Sequence, residues 1–204
     1  MINLKKIGKI LFICSFITTV NQASAQLTIK PHLVFPTGYL GALLKKAPGL
    51  TVGTIEDFDS KWRNRMHGDI IYFTPRRDTF DIHGSTTIGS STTIYPGNQQ
   101  INLYLNFSYS LGIDYMILGN DKFNWYVGGD LTAGMTLRHF DAYVENISSS
   151  GEFDGLPYIG MTGRTGIEYV MEYTTIYLDY TRTYYLNTEV SFLSYNDLGI
   201  GISF

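Results

Sequence analysis

The sequence predicts an all-β protein, an eight-stranded antiparallel up-and-down transmembrane β-barrel preceded by a cleavable signal peptide. Three observations carry this prediction. Residues 1–25 read as a secretory signal, strict period-2 alternation recurs through the remaining chain, and the links between alternating segments run long and short by turns.

The signal has three parts: Lys5, Lys6 and Lys9, the apolar run Ile10 to Val20, and the small-residue site Ala23-Ser24-Ala25 before Gln26. An apolar run of 11 residues is too short for a membrane-spanning helix, which needs about 20. Cleavage after Ala25 would leave residues 26–204 as one barrel domain. It would also remove Cys14, the only cysteine, and with it any disulfide or thiol chemistry. Of 15 basic residues, three lie in the signal, so the mature part carries 12 against 18 acidic ones, a formal −6. That balance does not suit a nucleic-acid binder.

No later stretch reaches 18 consecutive apolar residues, so membrane residence must come from strands. From Ile101 to Ile117 every odd position is apolar or aromatic (Leu103, Leu105, Phe107, Leu111, Ile113), while even positions include Asn102, Asn106, Ser108, Gly112 and Asp114. The pattern recurs at Trp125, Val127, Leu131, Ala133 and Met135, again at Ile159, Met161, Ile167 and Tyr169, and at Ile176, Leu178 and Tyr180. A soluble sandwich would show the same alternation with its apolar face in a core, so alternation alone does not choose. The polar face does, being rich in Gly, Ser, Thr and Asn with isolated charges, as suits a narrow lumen.

These patterns place strands near 26–35, 49–58, 61–77, 96–118, 123–144, 158–171, 175–187 and 194–204. The first two are the least regular, because Thr54, Glu56 and Phe58 do not form a clean apolar face and a bulge would shift parity there. Short links fall at Asp59-Ser60, Gly119 to Lys122 and Glu172 to Thr174. The longer ones span Pro36 to Pro48, Asp78 to Tyr95, Glu145 to Pro157 and Thr188 to Leu193. Short turns on one side and long loops on the other are the asymmetry of a bacterial transmembrane barrel.

The last strand ends on an aromatic residue, with Leu198, Ile200, Ile202 and Phe204 on one face. Asp197, Gly199, Ile202 and Phe204 follow a polar-x-Gly-x-x-apolar-x-aromatic order. In this the chain resembles the small outer-membrane β-barrel proteins of the OmpA/OmpX type, whose terminal strand carries such an assembly signal. The resemblance departs from the common form at Ile202, where an aromatic is frequent. It implies residence in the outer membrane of a Gram-negative bacterium, contact with outer-membrane lipids, and biogenesis through periplasmic chaperones and the barrel assembly machinery.

Inward positions offer Lys30, His32, Arg63, Arg65, His67, Asp69, Asp114, Asp130, Arg138, Arg164, Glu168, Asp179 and Asp197. An eight-stranded barrel has an interior filled by side chains, and unpaired charge there costs several kcal/mol, so these groups are expected to pair across the lumen as a charge network. His67 and Asp69 are the sharpest acid–base candidates, but two residues along a strand separate them by about 6 to 7 Å. Lys45, Lys46, Arg76 and Arg77 stand at outer strand ends, where they can meet lipopolysaccharide phosphates or simply form a solvated rim.

No cofactor or metal is expected, since His32, His67, His83 and His139 form no ligand spacing. The favoured function is therefore a non-enzymatic barrel that supports envelope integrity or presents external loops for binding and adhesion. Two alternatives remain open: an outer-leaflet lipid-modifying enzyme using His139 with a serine such as Ser148, and a soluble lipocalin-like barrel that encloses a ligand. Against the enzyme, the sequence has no Gly-x-Ser-x-Gly elbow.

Overall fold

The computed structural model describes residues 25–57, 59, 61–77, 79–88, 91–144, 147–187 and 193–204. All but the last residue of the expected signal segment lies outside the described residues. Among the described residues there are nine strands and one short helix: β1 Gln26–Thr37, α1 Gly38–Leu43, β2 Ala47–Asp57, β3 Trp62–Phe73, β4 Phe80–Ile88, β5 Ser91–Gly119, β6 Phe123–Val144, β7 Ile147–Val170, β8 Thr175–Asn187 and β9 Leu193–Ser203. Every strand pairing is antiparallel.

Eight strands close into a barrel because β3 pairs with β5 while β1 pairs with β9. β4 stands outside that ring and pairs only with the upper part of β5. Stagger follows from the register. A path of paired residues runs from Trp62 through Tyr115, Val127, Thr165, Tyr180, Leu198 and Leu33 to Pro48. Gly49 pairs Ile71, so the path returns to β3 at Tyr72, ten residues beyond its start. Eight strands about 4.8 Å apart with that stagger must tilt about 40° from the barrel axis.

The same tilt lifts Tyr72 about 25 Å above Trp62, the height of the apolar band of a bacterial barrel. Between these two aromatics the outer wall is predominantly apolar, with Ile70, Leu111, Ile113, Leu131, Met161, Ile167, Leu178, Leu198 and Ile200 all exposed. The lower end carries the short turns. Asp59 accepts backbone N–H bonds from Lys61 (2.6 Å) and Trp62 (2.9 Å), and Asn120 does the same for Lys122 (2.9 Å) and Phe123 (2.8 Å). These are the local bonds that favour Asp and Asn in tight turns.

The upper end departs from the sequence reading in three ways. Asp78 to Tyr95 was expected as a loop, yet β4 and β5 form a hairpin there, and β7 already begins at Ile147 instead of near 158. Ser, Thr and Gly in these stretches blur the period-2 signal, but their backbone groups find partners in a sheet that grows from strands already held by the barrel. The first long link contains α1, whose Leu40 and the following Leu44 are buried in the barrel mouth. β2 carries no bulge: its register with β1 and β3 is continuous, and Ile55 points inward with Ala47 and Thr51.

Candidate functional site

Glu168, Arg63, Asp114, Arg164, Asp130, Arg65, Asp179, Lys30, Asp197, His32 and Asp69 form one continuous, buried ionic chain inside the lower part of the barrel. Its hub is Asp114, which is fully buried on β5. One of its oxygens lies 2.9 Å from Arg65 and 3.7 Å from Arg63, and the other lies 2.8 Å from Arg164. Arg164 turns its second amino group to Asp130 at 2.9 Å, so its planar fork on β7 ties together the two preceding strands, β6 and β5. Arg63 reaches Glu168 at 2.8 Å, and Arg65 approaches Asp179 at 3.7 Å.

Lys30 continues the chain upward, 3.0 Å from Asp179 and 3.6 Å from Asp197. His32 stands between two carboxylates, with Nε2 3.0 Å from Asp69 and Nδ1 3.4 Å from Asp197, although neither contact has hydrogen-bond geometry. Thr51 donates to Asp69 at 2.9 Å, and Thr181 donates to Asp197. Two glycines make this crowding possible. A Cβ on Gly128 would come within 2.0 Å of the Asp114 carboxylate, and one on Gly112 within 1.9 Å of that of Asp130.

His67 and Asp69 do not pair. Asp69 is taken by His32 and Thr51, and the Nδ1 of His67 has no hydrogen-bond partner although the atom is buried. The His32–Asp69–Asp197 cluster is the grouping that the sequence concealed, because its members come from β1, β3 and β9 and only closure of the ring brings them together. Arg138 lies apart from the network. It pairs with Asp154 above the barrel mouth, where both side chains are partly exposed.

Above the ionic chain the lumen changes character. Val34, Leu40, Leu44, Ile71, Phe73, Tyr104, Tyr158, Tyr185, Leu193 and Tyr195 form an apolar and aromatic plug. Phe73 meets Tyr104 edge-on at 5.7 Å, and Tyr185 packs on Tyr158 at 4.5 Å. Below the chain the lumen opens into a vestibule of about 650 Å³, edged by Asp57, Asp59, Lys61 and Asn124, with the Arg63–Glu168 pair in its lining.

Lys45, Lys46, Arg76 and Arg77 are all exposed and converge on one arc of the upper rim. Leu44 and Pro75 form a bridge, the Lys45 N–H bonds to Thr74 (2.9 Å), and the Arg76 backbone and guanidinium bond to the carbonyls of Leu43 (2.7 Å) and Leu44 (2.9 Å). Lys46 lies 5.0 Å from the centre of the Phe35 ring. In the terminal strand, Asp197 and Gly199 face the lumen while Ile202 and Phe204 face outward, and Phe204 exchanges backbone bonds with Leu27 at 2.9 and 3.2 Å. Side-chain room explains the glycine, since a Cβ on Gly199 would stand 2.7 Å from Lys30.

The side chain of Ser148 lies outside the described residues. Its backbone pairs with Tyr143, whereas His139 pairs with Phe153, five residues further along β7. That offset is about 16 Å along a strand.

Beyond the barrel the sheet is fixed by a local device. Asp141 sits at an irregularity between Phe140 and Ala142, where it accepts from the Gly151 N–H (2.7 Å) and from Asn102 (2.8 Å). These bonds hold its carboxyl below the usual range. Gly151 has φ +71°, a conformation that suits glycine.

A closed ring of eight antiparallel strands, apolar outside and ionic inside, defines the small bacterial outer-membrane β-barrel fold. Among solved structures the chain is similar to Neisserial surface protein A (NspA), with 13% identity and a TM-score of 0.55 over 88% of this chain and 95% of that one. Similarity extends to the N-terminal β-barrel domain of OprF from Pseudomonas aeruginosa (13% identity, TM-score 0.45, 90% and 100% of the two chains). Ail of Yersinia pestis is a further relative in shape (15% identity, TM-score 0.44, 88% and 95% covered). No protein-family profile matches the chain, and no curated protein does.

Proposed function

We propose that this protein is exported by residues 1–25, which are cleaved after Ala25, and that residues 26–204 insert into the outer membrane of a Gram-negative bacterium as a plugged, non-conducting barrel. Its lower end faces the periplasm. The upper sheet of β4 to β7 projects from the cell, where it supports the envelope or presents a surface for binding and adhesion. Lys45, Lys46, Arg76 and Arg77 meet lipopolysaccharide phosphates at the rim, and Asp197, Gly199, Ile202 and Phe204 serve barrel assembly.

The observation that carries this reading is the inversion of the wall. Apolar side chains point out over a belt about 25 Å tall, while the eleven residues of the ionic chain are buried within. A soluble ligand-enclosing barrel draws no support from a lumen packed with paired charge. Nor does an enzyme reading, given the register of His139 and Ser148.

Fractionation of a Gram-negative host expressing the full chain tests the proposal. The expected results are a heat-modifiable band in the detergent-extracted outer membrane, a mature N-terminus at Gln26, and no steady conductance in planar bilayers. Recovery with soluble periplasmic contents would overturn it.

A further inference from the structure

One charged side chain on the outer wall is out of place. Arg182 on β8 points away from the lumen, between Tyr180 and Tyr184, and is exposed. No carboxylate lies within ion-pair distance of it among the described residues. Its guanidinium donates to the Tyr184 hydroxyl and, at 3.4 Å, to Asn196, and it stacks on the Tyr184 ring at 4.9 Å. All these partners are neutral. The register path puts Arg182 about 18 Å above Trp62 within a belt about 25 Å tall, so its backbone lies in the outer leaflet and its side chain reaches up toward the headgroups. An unpaired arginine at such depth destabilises a barrel wall unless an anion from the lipid meets it.

The surface beside Arg182 is hollow. Small outward residues leave a depression of about 590 Å³ between Ala133, Ile159, Met161, Tyr184 and Leu186. A second depression of about 620 Å³ lies over Gly129, between Val127, Ile113 and Trp62. Leu111, Leu131 and Met161, paired in one row that ends at Tyr184, stand between the two as an exposed ridge, and Arg182 lies on the next row down, with the lower depression. Gly163 pairs with both Arg182 and Gly129, and a Cβ there would touch nothing within 4 Å. Because the hydrogen-bonding direction is inclined by the tilt, the path Arg182, Gly163, Gly129, Ile113 descends about 9 Å toward the lower rim.

Resting on the outer-membrane reading above, we infer that this face binds one phosphorylated glycolipid of the outer leaflet. Its phosphate sits on Arg182 and Tyr184, and one acyl chain lies in the descending hollow. The cation and the groove belong together because the anion is held where the chain must begin, and the chain then runs down the wall as a lipid tail does. This site is separate from the rim cations, which stand above the belt in the link before β2 and beyond β3.

The test uses the full-length protein processed in its host, purified, and incorporated into phosphatidylcholine nanodiscs doped with diphosphorylated lipid A, with retained lipid counted by native mass spectrometry. The wild type is expected to retain lipid A. Arg182→Gln and Gly129→Phe should each lower retention about tenfold, while Arg182→Lys keeps most of it. Dephosphorylated lipid A should be held no better than phosphatidylcholine. Heat-modifiable migration establishes that each variant is folded and that the membrane reading stands independently of lipid retention. Equal retention by folded Arg182→Gln, or equal retention of phosphatidylglycerol in place of lipid A, would overturn the inference.

Discussion

The two parts of the lumen are filled by opposite means. The lower part is an ionic chain in which six carboxylates meet three arginines, one lysine and His32, while the upper part is a plug of aliphatic and tyrosine side chains sealed by α1. The difference lies in what each tolerates. Apolar packing is non-directional and degrades gradually with lost volume. A buried ion pair fails abruptly, because removing one partner strands the other in a medium that cannot hydrate it. The lower part thereby fixes which strands are neighbours, since Asp114, Arg164, Asp130 and Arg65 must all find one another across the ring. The upper part closes the mouth.

Removing the hub is the strongest way to break this contrast. Asp114→Ala leaves Arg63, Arg65 and Arg164 with fewer acceptors, and it is expected to cost about 3 to 5 kcal/mol in urea unfolding from lipid. Combining it with Arg65→Met should cost less than the sum of the two single changes, because the second removes a charge that the first has stranded. Simple additivity would show that the lower lumen is hydrated and the pairs are weak.

Leu44→Ala probes the plug, where a fully buried side chain on the link between α1 and β2 holds the helix in the mouth. The expected loss is about 3 kcal/mol, with Leu44→Met nearly neutral. A protease-sensitive first link in Leu44→Ala, with the barrel band intact, would mark the plug as a separable lid. Smaller still is Gly128→Ala, where the new methyl must displace the Asp114 carboxylate or the Ile113 carbonyl 2.7 Å away, at about 1 to 3 kcal/mol. Gly163→Ala on the outer wall has open space and serves as its neutral control.

Much of this was legible in the sequence because a two-residue period ties each side chain to a face. Once Leu103, Phe107 and Leu111 define the outside, Asn106 and Asp114 must be inside, and the inward charges follow. Pairing partners were not legible. His32, Asp69 and Asp197 are remote in sequence and meet only when β9 closes on β1 and β3 follows across β2, a register that no local pattern encodes. The β4 hairpin was missed for a different reason: its run of Ser, Thr and Gly satisfies its backbone groups by pairing with β5 and carries no period-2 alternation to read.

The smallest expected effect sharpens the contrast from outside the lumen. Asp59 sits in the turn between β2 and β3, fully exposed, and its carboxylate is stabilised by the N–H groups of Lys61 and Trp62, which hold its pKa below the ordinary aspartate value. A carboxyl whose pKa is depressed on folding stabilises the fold above the unfolded-state value, and it loses that contribution as pH falls through the folded-state value. Wild type should therefore exceed Asp59→Asn slightly in unfolding midpoint at neutral pH, with the gap closing as the solution becomes strongly acidic. A gap that stayed constant down to acid would mean that the turn is held by backbone bonds alone, and that the Asp59 carboxylate contributes through shape and not charge.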